Sequence, residues 1–217
     1  MNETGTDPGL SPISGLPRLL QLASPTLPVG AYSYSQGLEA AVEAHIVHDA
    51  ASAQAWIADA LSQSLGRFEA PVLWRMMQGE ALNELFLASR ETAELRAETL
   101  QMGHSLKRLM ADLGYGDVPE DDPAYPTAYA FAVRRMELDP GTAMVAYLWS
   151  WLENQVMAAL KAVPLGQTAG QKILLSLAGR LEPMARAARS TELSNFTPGL
   201  AVLSARHETQ YSRLFRS

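Results

Sequence analysis

The sequence contains no cysteine among its 217 residues. That excludes disulfides, thiolate metal sites and thiol nucleophiles. It has no excess of positive charge either. The formal net charge is −6, which argues against a broad basic surface for nucleic acid. No apolar run approaches the ~20 residues of a membrane-crossing helix. The opening MNETGTDPGLSPISG lacks the charged and apolar regions of a secretory leader. These absences predict a cytoplasmic protein with no membrane and no nucleic-acid partner. Isoleucine occurs only four times, and no Asn-Gly or Asp-Gly turn separates alternating apolar runs. A hairpin-rich fold therefore has no footing.

What is present is helix-forming material. Alanine (33) and leucine (31) dominate, and both favour helix over strand. Hydrophobic residues make up 47% and charged residues 18%, a globular composition. A chain of this size can bury roughly 70% of its unfolded surface. The expected fold is all-α, a single compact domain of about eight to ten helices over residues 17–217. Residues 1–16, rich in Gly, Pro, Ser and Thr, read as a disordered tail. Helices are expected at about 35–45, 50–66, 71–88, 90–113, 126–138, 141–162, 168–188 and 199–212. Asp49 and Ser52 can cap the second. Pro71 suits a first helical turn, and Gly114 and Gly116 can end the fourth. The segment 141–163 is apolar on more than one stripe, which predicts a central helix. Its Glu153, Asn154, Gln155 and Lys161 must then face a cavity, a neighbouring helix or an interface.

Known catalytic patterns fail one by one. GQTAGQK (Gly166 to Lys172) has three residues between its glycines and Gln171 before the lysine, so it is no phosphate loop. HETQY at His207 places Tyr211 where a zinc-protease helix needs its second histidine. Ser35 lies in YSYSQG, where Ser33 occupies a position that a nucleophile elbow reserves for glycine. RETAELRAE (Arg90 to Glu98) fits charge pairs along one helix, Arg90 with Glu94 among them, or a solvated face.

Charge is unevenly spread. Residues 1–100 carry 5 basic and 12 acidic side chains, whereas residues 161–217 carry 8 basic and 3 acidic. That asymmetry fits either an ordinary solvated surface or a C-terminal face made for an acidic protein partner. The chain closes on HETQYSRLFRS. Its Tyr211, Arg213, Leu214 and Phe215 are residue types that anchor interfaces.

Four stretches together resemble one family: LLQLASPTLPVGAYSYSQGLEAAVE, RETAELRAE, WLENQVMAALKAVPLGQTAGQ and HETQYSRLFRS. In this order they are similar to the urease accessory protein F family. The resemblance implies a non-enzymatic, all-α protein of nickel-urease maturation that tends to form a homodimer and needs no cofactor of its own. Its implied partners are the urease accessory protein D/H, the GTPase accessory protein G and the urease apoprotein. With D/H, such a protein recruits the GTPase and couples GTP hydrolysis to nickel delivery. The resemblance marks Arg213 as a recruitment residue, Tyr32 as a brace of the same surface and Lys161 as a basic residue on the GTPase side. His207, Tyr211, Leu214 and Phe215 complete the implied partner-binding set, with the C-terminal segment ordered by the D/H partner and loosely held without it. The alternative is a nickel-binding metallochaperone using His45, His48, His104 and His207, since nickel favours imidazole. A third reading is a helical enzyme built on Glu153 and Lys161.

Overall fold

A computed structural model describes residues 15–217, and among them every regular element is helical. In chain order these are α1 (Leu16–Ala23), a 3₁₀ turn (Ala31–Ser33), α2 (Leu38–Glu43), α3 (Ala50–Asp59), a π-helical stretch (Ala60–Glu69) and α4 (Ala70–Met77). There follow α5 (Asn83–Ala88), α6 (Ala93–Asp112), α7 (Tyr125–Arg135), α8 (Pro140–Ala162), α9 (Gln167–Ala178), α10 (Leu181–Ala187) and α11 (Pro198–His207).

The apolar segment expected at 141–162 is α8, and it runs through the centre. Asp139 caps it by accepting from the Thr142 amide at 2.7 Å, and Pro140 fits its first turn, where an amide hydrogen has no use. Met144, Leu148, Leu152 and Val156 are fully enclosed. α1, α2, α3, α4, α9, α10 and the 3₁₀ turn all pack on α8. A helix touched from so many sides needs apolar residues on more than one stripe. Burial of this core supplies the main driving force for folding, at about 25 cal/mol per Å² of apolar surface. Among the described residues no helix is long and apolar enough to cross a membrane.

Several boundaries differ from the sequence expectation, each for a local reason. α1 was not expected, because Gly15 and Pro17 look like loop punctuation; Pro17 instead sits in the first turn of a helix. The disordered tail expected over residues 1–16 lies outside the described residues up to residue 14. α2 starts at Leu38 rather than 35 because Gln36 and Gly37 take positive φ, 52° and 81°, which a right-handed helix cannot hold. The expected breaks between 66 and 71 are absent, and helix continues from Ala50 to Met77. Within it the chain loosens to π geometry, with the Ala70 amide bonded to Leu65 O, five residues back. Pro71 has no amide hydrogen to give Arg67 O, and that carbonyl instead accepts from the Ser194 amide at 3.0 Å. Asp49 and Ser52 form the anticipated cap reciprocally, Ser52 N–H to Asp49 Oδ1 at 2.8 Å and Asp49 N–H to Ser52 Oγ at 3.0 Å. Expected helix 168–188 divides at Gly179 into α9 and α10. The last helix ends at His207, and residues 208–217 leave it as an irregular strap.

Candidate partner-binding surface

The strap folds back over the N-terminal ends of α2 and α6. The backbone of its last four residues, 214–217, bonds the segment Ser33–Glu39. Arg216 N–H donates to Ser33 O at 2.8 Å. Ser217 O accepts from Ser35 N–H at 2.8 Å and from Ser35 Oγ at 2.6 Å. Glu39 accepts from two successive strap amides, Leu214 at 2.7 Å and Phe215 at 2.9 Å. Ser35 Oγ also accepts from the Glu39 amide at 3.2 Å, so the same serine that holds the strap caps the first turn of α2.

A row of alternating charge underlies this seat. His207 is completely buried at the end of α11. Its Nε2 lies 3.2 Å from Glu39 Oε2 and its Nδ1 lies 2.6 Å from Glu94 Oε2. Each ring nitrogen thus lies within hydrogen-bond distance of a carboxylate oxygen from a different helix. Arg213 closes the row by donating to Glu94 Oε1 at 2.6 Å. At the start of α6, Glu208 accepts from the Ala93 amide at 2.8 Å. An acidic side chain at a helix N-terminus satisfies amides that have no partner within the helix.

RETAELRAE therefore makes its contacts across the fold rather than along one helix. Arg90 pairs with buried Glu69 at 3.5 Å and lies over the Phe86 ring at 4.3 Å, not with Glu94. Glu98 is buried and accepts from Gln36 Nε2 at 2.6 Å and from Ser217 Oγ at 2.7 Å. Burial pushes its carboxyl up to about 7, with nearby Glu69 adding to the rise and the two hydrogen bonds opposing it.

Three segments far apart in sequence meet at Lys161. Its Nζ lies 5.9 Å from the centre of the Tyr32 ring and 5.6 Å from that of Phe215, within cation–π range of both. Tyr32 is 66% exposed and Leu214 70%, so an apolar and cationic patch faces solvent here. Tyr211 is fully exposed and touches none of this cluster closely enough to pair with it. Arg213 is partly exposed on Glu94. His207 and Phe215, expected as contacts for a partner, are buried and would act from beneath the surface. The loosely held C-terminal segment expected from the sequence is here a docked one, because Glu39, Ser33 and Ser35 bond the backbone of its last four residues.

A cavity of about 160 Å³ is lined by Tyr32, Glu153, Asn154 and Lys161 together with Glu69 and Glu98. Of the four polar residues of α8 singled out in the sequence, Glu153, Asn154 and Lys161 line this cavity. Asn154 Nδ2 also donates to Tyr34 O at 3.2 Å. Gln155 points elsewhere and its Nε2 finds no partner among the described residues. Burial raises the Glu153 carboxyl above its usual range. The four histidines of the alternative reading make separate contacts: His48 beside Asp49, His104 beside Asp122, His207 in the charged row and His45 at a positive-φ turn. Gly170, from the discounted phosphate-loop pattern, serves packing: a Cβ there would lie 2.8 Å from Leu160.

Sequence reasoning missed Glu39, Ser35, Glu94 and Glu98 as parts of the site. Ser35 and Glu39 stand four apart at a helix start, and acids recur in RETAELRAE at helical spacing. Those signals exist, but each also describes an ordinary capped or solvated helix.

Comparison with known proteins decides the family. The family model for UreF matches residues 47–178. A urease accessory protein UreF of Azoarcus sp. (strain BH72) is 55% identical, over 92% of this chain and 94% of its own. The chain belongs to the UreF family of urease accessory proteins. UreF proteins of Dechloromonas aromatica (strain RCB) and Methylobacillus flagellatus are each 51% identical, covering 93% and 96% of this chain. The stretch matched by the UreF model spans α3 to α9 and includes Glu98 and Lys161, while Tyr32, Glu39 and the strap lie outside it.

Proposed function

We propose that this UreF-family chain is a non-enzymatic scaffold of nickel-dependent urease maturation in the cytoplasm. In this reading it binds the D/H accessory protein, recruits the GTPase accessory protein G and couples GTP hydrolysis to nickel delivery to the urease apoprotein. It works as a homodimer within that complex. The recruiting surface comprises Tyr32, Lys161 and the strap, with Arg213, Tyr211 and Leu214 outward and Phe215 and His207 as its support.

The observation that carries this reading is Lys161 poised between the Tyr32 and Phe215 rings. An exposed lysine flanked by aromatic groups, with apolar Leu214 beside them in the chain, has the chemistry of an interface anchor. The test is gel filtration of the chain mixed with D/H and G proteins. Lys161→Ala and Arg213→Ala should each weaken or abolish co-elution of the GTPase while the chain stays folded. Normal assembly by both variants would overturn the reading.

A further inference from the structure

Glu39 is 7% exposed and sits in the first turn of α2. It contributes nothing to the exposed patch, yet two strap amides, those of Leu214 and Phe215, converge on its carboxylate together with His207 Nε2 from the end of α11. Two successive backbone amides aimed at the two oxygens of one carboxylate form an anion clasp. Hydrogen bonds to an ionised acceptor are about twice as strong as neutral ones. The clasp acts just before and at Phe215, the residue whose ring stands beside Lys161. The other polar holds on this stretch include Arg216 N–H on Ser33 O, the Ser35 amide and hydroxyl on Ser217 O, and Ser217 Oγ on Glu98. Phe215 itself is buried, but an apolar side chain alone does not fix the direction of the backbone that carries it.

We propose that Glu39 is the positioning residue of the partner-binding surface. It touches no partner. It holds the backbone of Leu214 and Phe215 so that the Phe215 ring, Lys161 and Tyr32 form one patch and Leu214 is turned outward. This rests on the proposed role of that patch, but its first test does not depend on any partner.

The test is limited trypsin digestion of the full chain, following the Arg213–Leu214 bond by mass spectrometry, with a melting curve for each variant. Glu39→Gln keeps the shape but leaves one acceptor oxygen and places an amide where the second strap N–H donates. Glu39→Asp keeps the charge but withdraws it by one methylene. Cleavage at Arg213 should rise about tenfold or more in Glu39→Gln, and by less in Glu39→Asp. Cleavage at Arg67 and Arg180, in the body of the fold, should stay at the wild-type rate. Equal cleavage at Arg213 in wild type and Glu39→Gln overturns the proposal. So does a variant cut faster at every arginine with a collapsed melting temperature, since Glu39 would then be a core residue. Co-elution with D/H and G is measured afterwards on the same variants. A released strap with intact assembly would leave the clasp standing and remove the recruiting role of the patch.

Discussion

The middle and the C-terminal end of α8 are held in different ways. Along its middle, Met144, Leu148 and Leu152 meet apolar neighbours from helices on several sides. At its C-terminal end, Lys161 meets a strap held mainly by charged and polar groups: Glu39, Glu94, Glu98, Ser35 and His207. Apolar packing is non-directional and tolerates exchange of one hydrocarbon for another. The strap's seat depends on matched donors and acceptors, where losing one partner strands another. The first kind of holding makes a fold; the second sets one exposed surface in one arrangement.

The sharpest way to break the apolar side is Leu148→Ala. A fully buried leucine in a central helix should cost about 3 kcal/mol or more, read as a fall of roughly 10 °C in melting temperature. Assembly of the surviving folded fraction should be unaffected. Deleting residues 212–217 attacks the other side. It uncovers apolar surface under Phe215 and strips Glu39 of both strap amides, so about 2 kcal/mol should go. Assembly with D/H and G should vanish. A truncated chain as stable as wild type would mean that the strap is not docked as described.

A pH effect also separates the two sides. Glu98 has its folded pKa raised to about 7 from an ordinary 4.5, chiefly by burial. Between those values the folded chain keeps a proton that the unfolded chain releases. Stability therefore falls as pH rises through that window and levels off above about 7. Glu98→Gln has no such proton to lose. Its melting temperature relative to wild type should climb from pH 5 to pH 8, and a pH-independent difference would contradict the burial argument. Smallest of all in stability is Lys161→Ala, at ~0.5 kcal/mol, because the ammonium is exposed and its ring contacts are weak there. Denaturant titration checks it.

The same division explains what could be read in advance. The apolar period marked α8 to within one residue at its start, since that pattern is local and repeats every turn. The cap at Asp49 is local too. α1 escaped because Gly15 and Pro17 punctuate both tails and helix starts. The positive φ at Gln36 that delays α2 has no glycine to announce it. The seat of the strap escaped for a different reason. Glu94 lies 113 residues from His207 and Glu39 lies 176 from Phe215. An acid at helical spacing looks the same whether it meets solvent or a distant backbone amide. Tyr32, Lys161 and Phe215 were marked by family resemblance; their meeting in space was not visible in composition or spacing.

The central claim is that three distant segments act as one recruiting surface. The most direct measurement is a double-mutant cycle on Tyr32 and Lys161, with affinity for the D/H and G proteins measured by calorimetry for wild type, each alanine variant and the pair. Residues that share one contact should couple: the pair should lose less than the two single losses combined, by about 0.5 kcal/mol or more. Strict additivity, or full affinity in the double variant, would contradict the account.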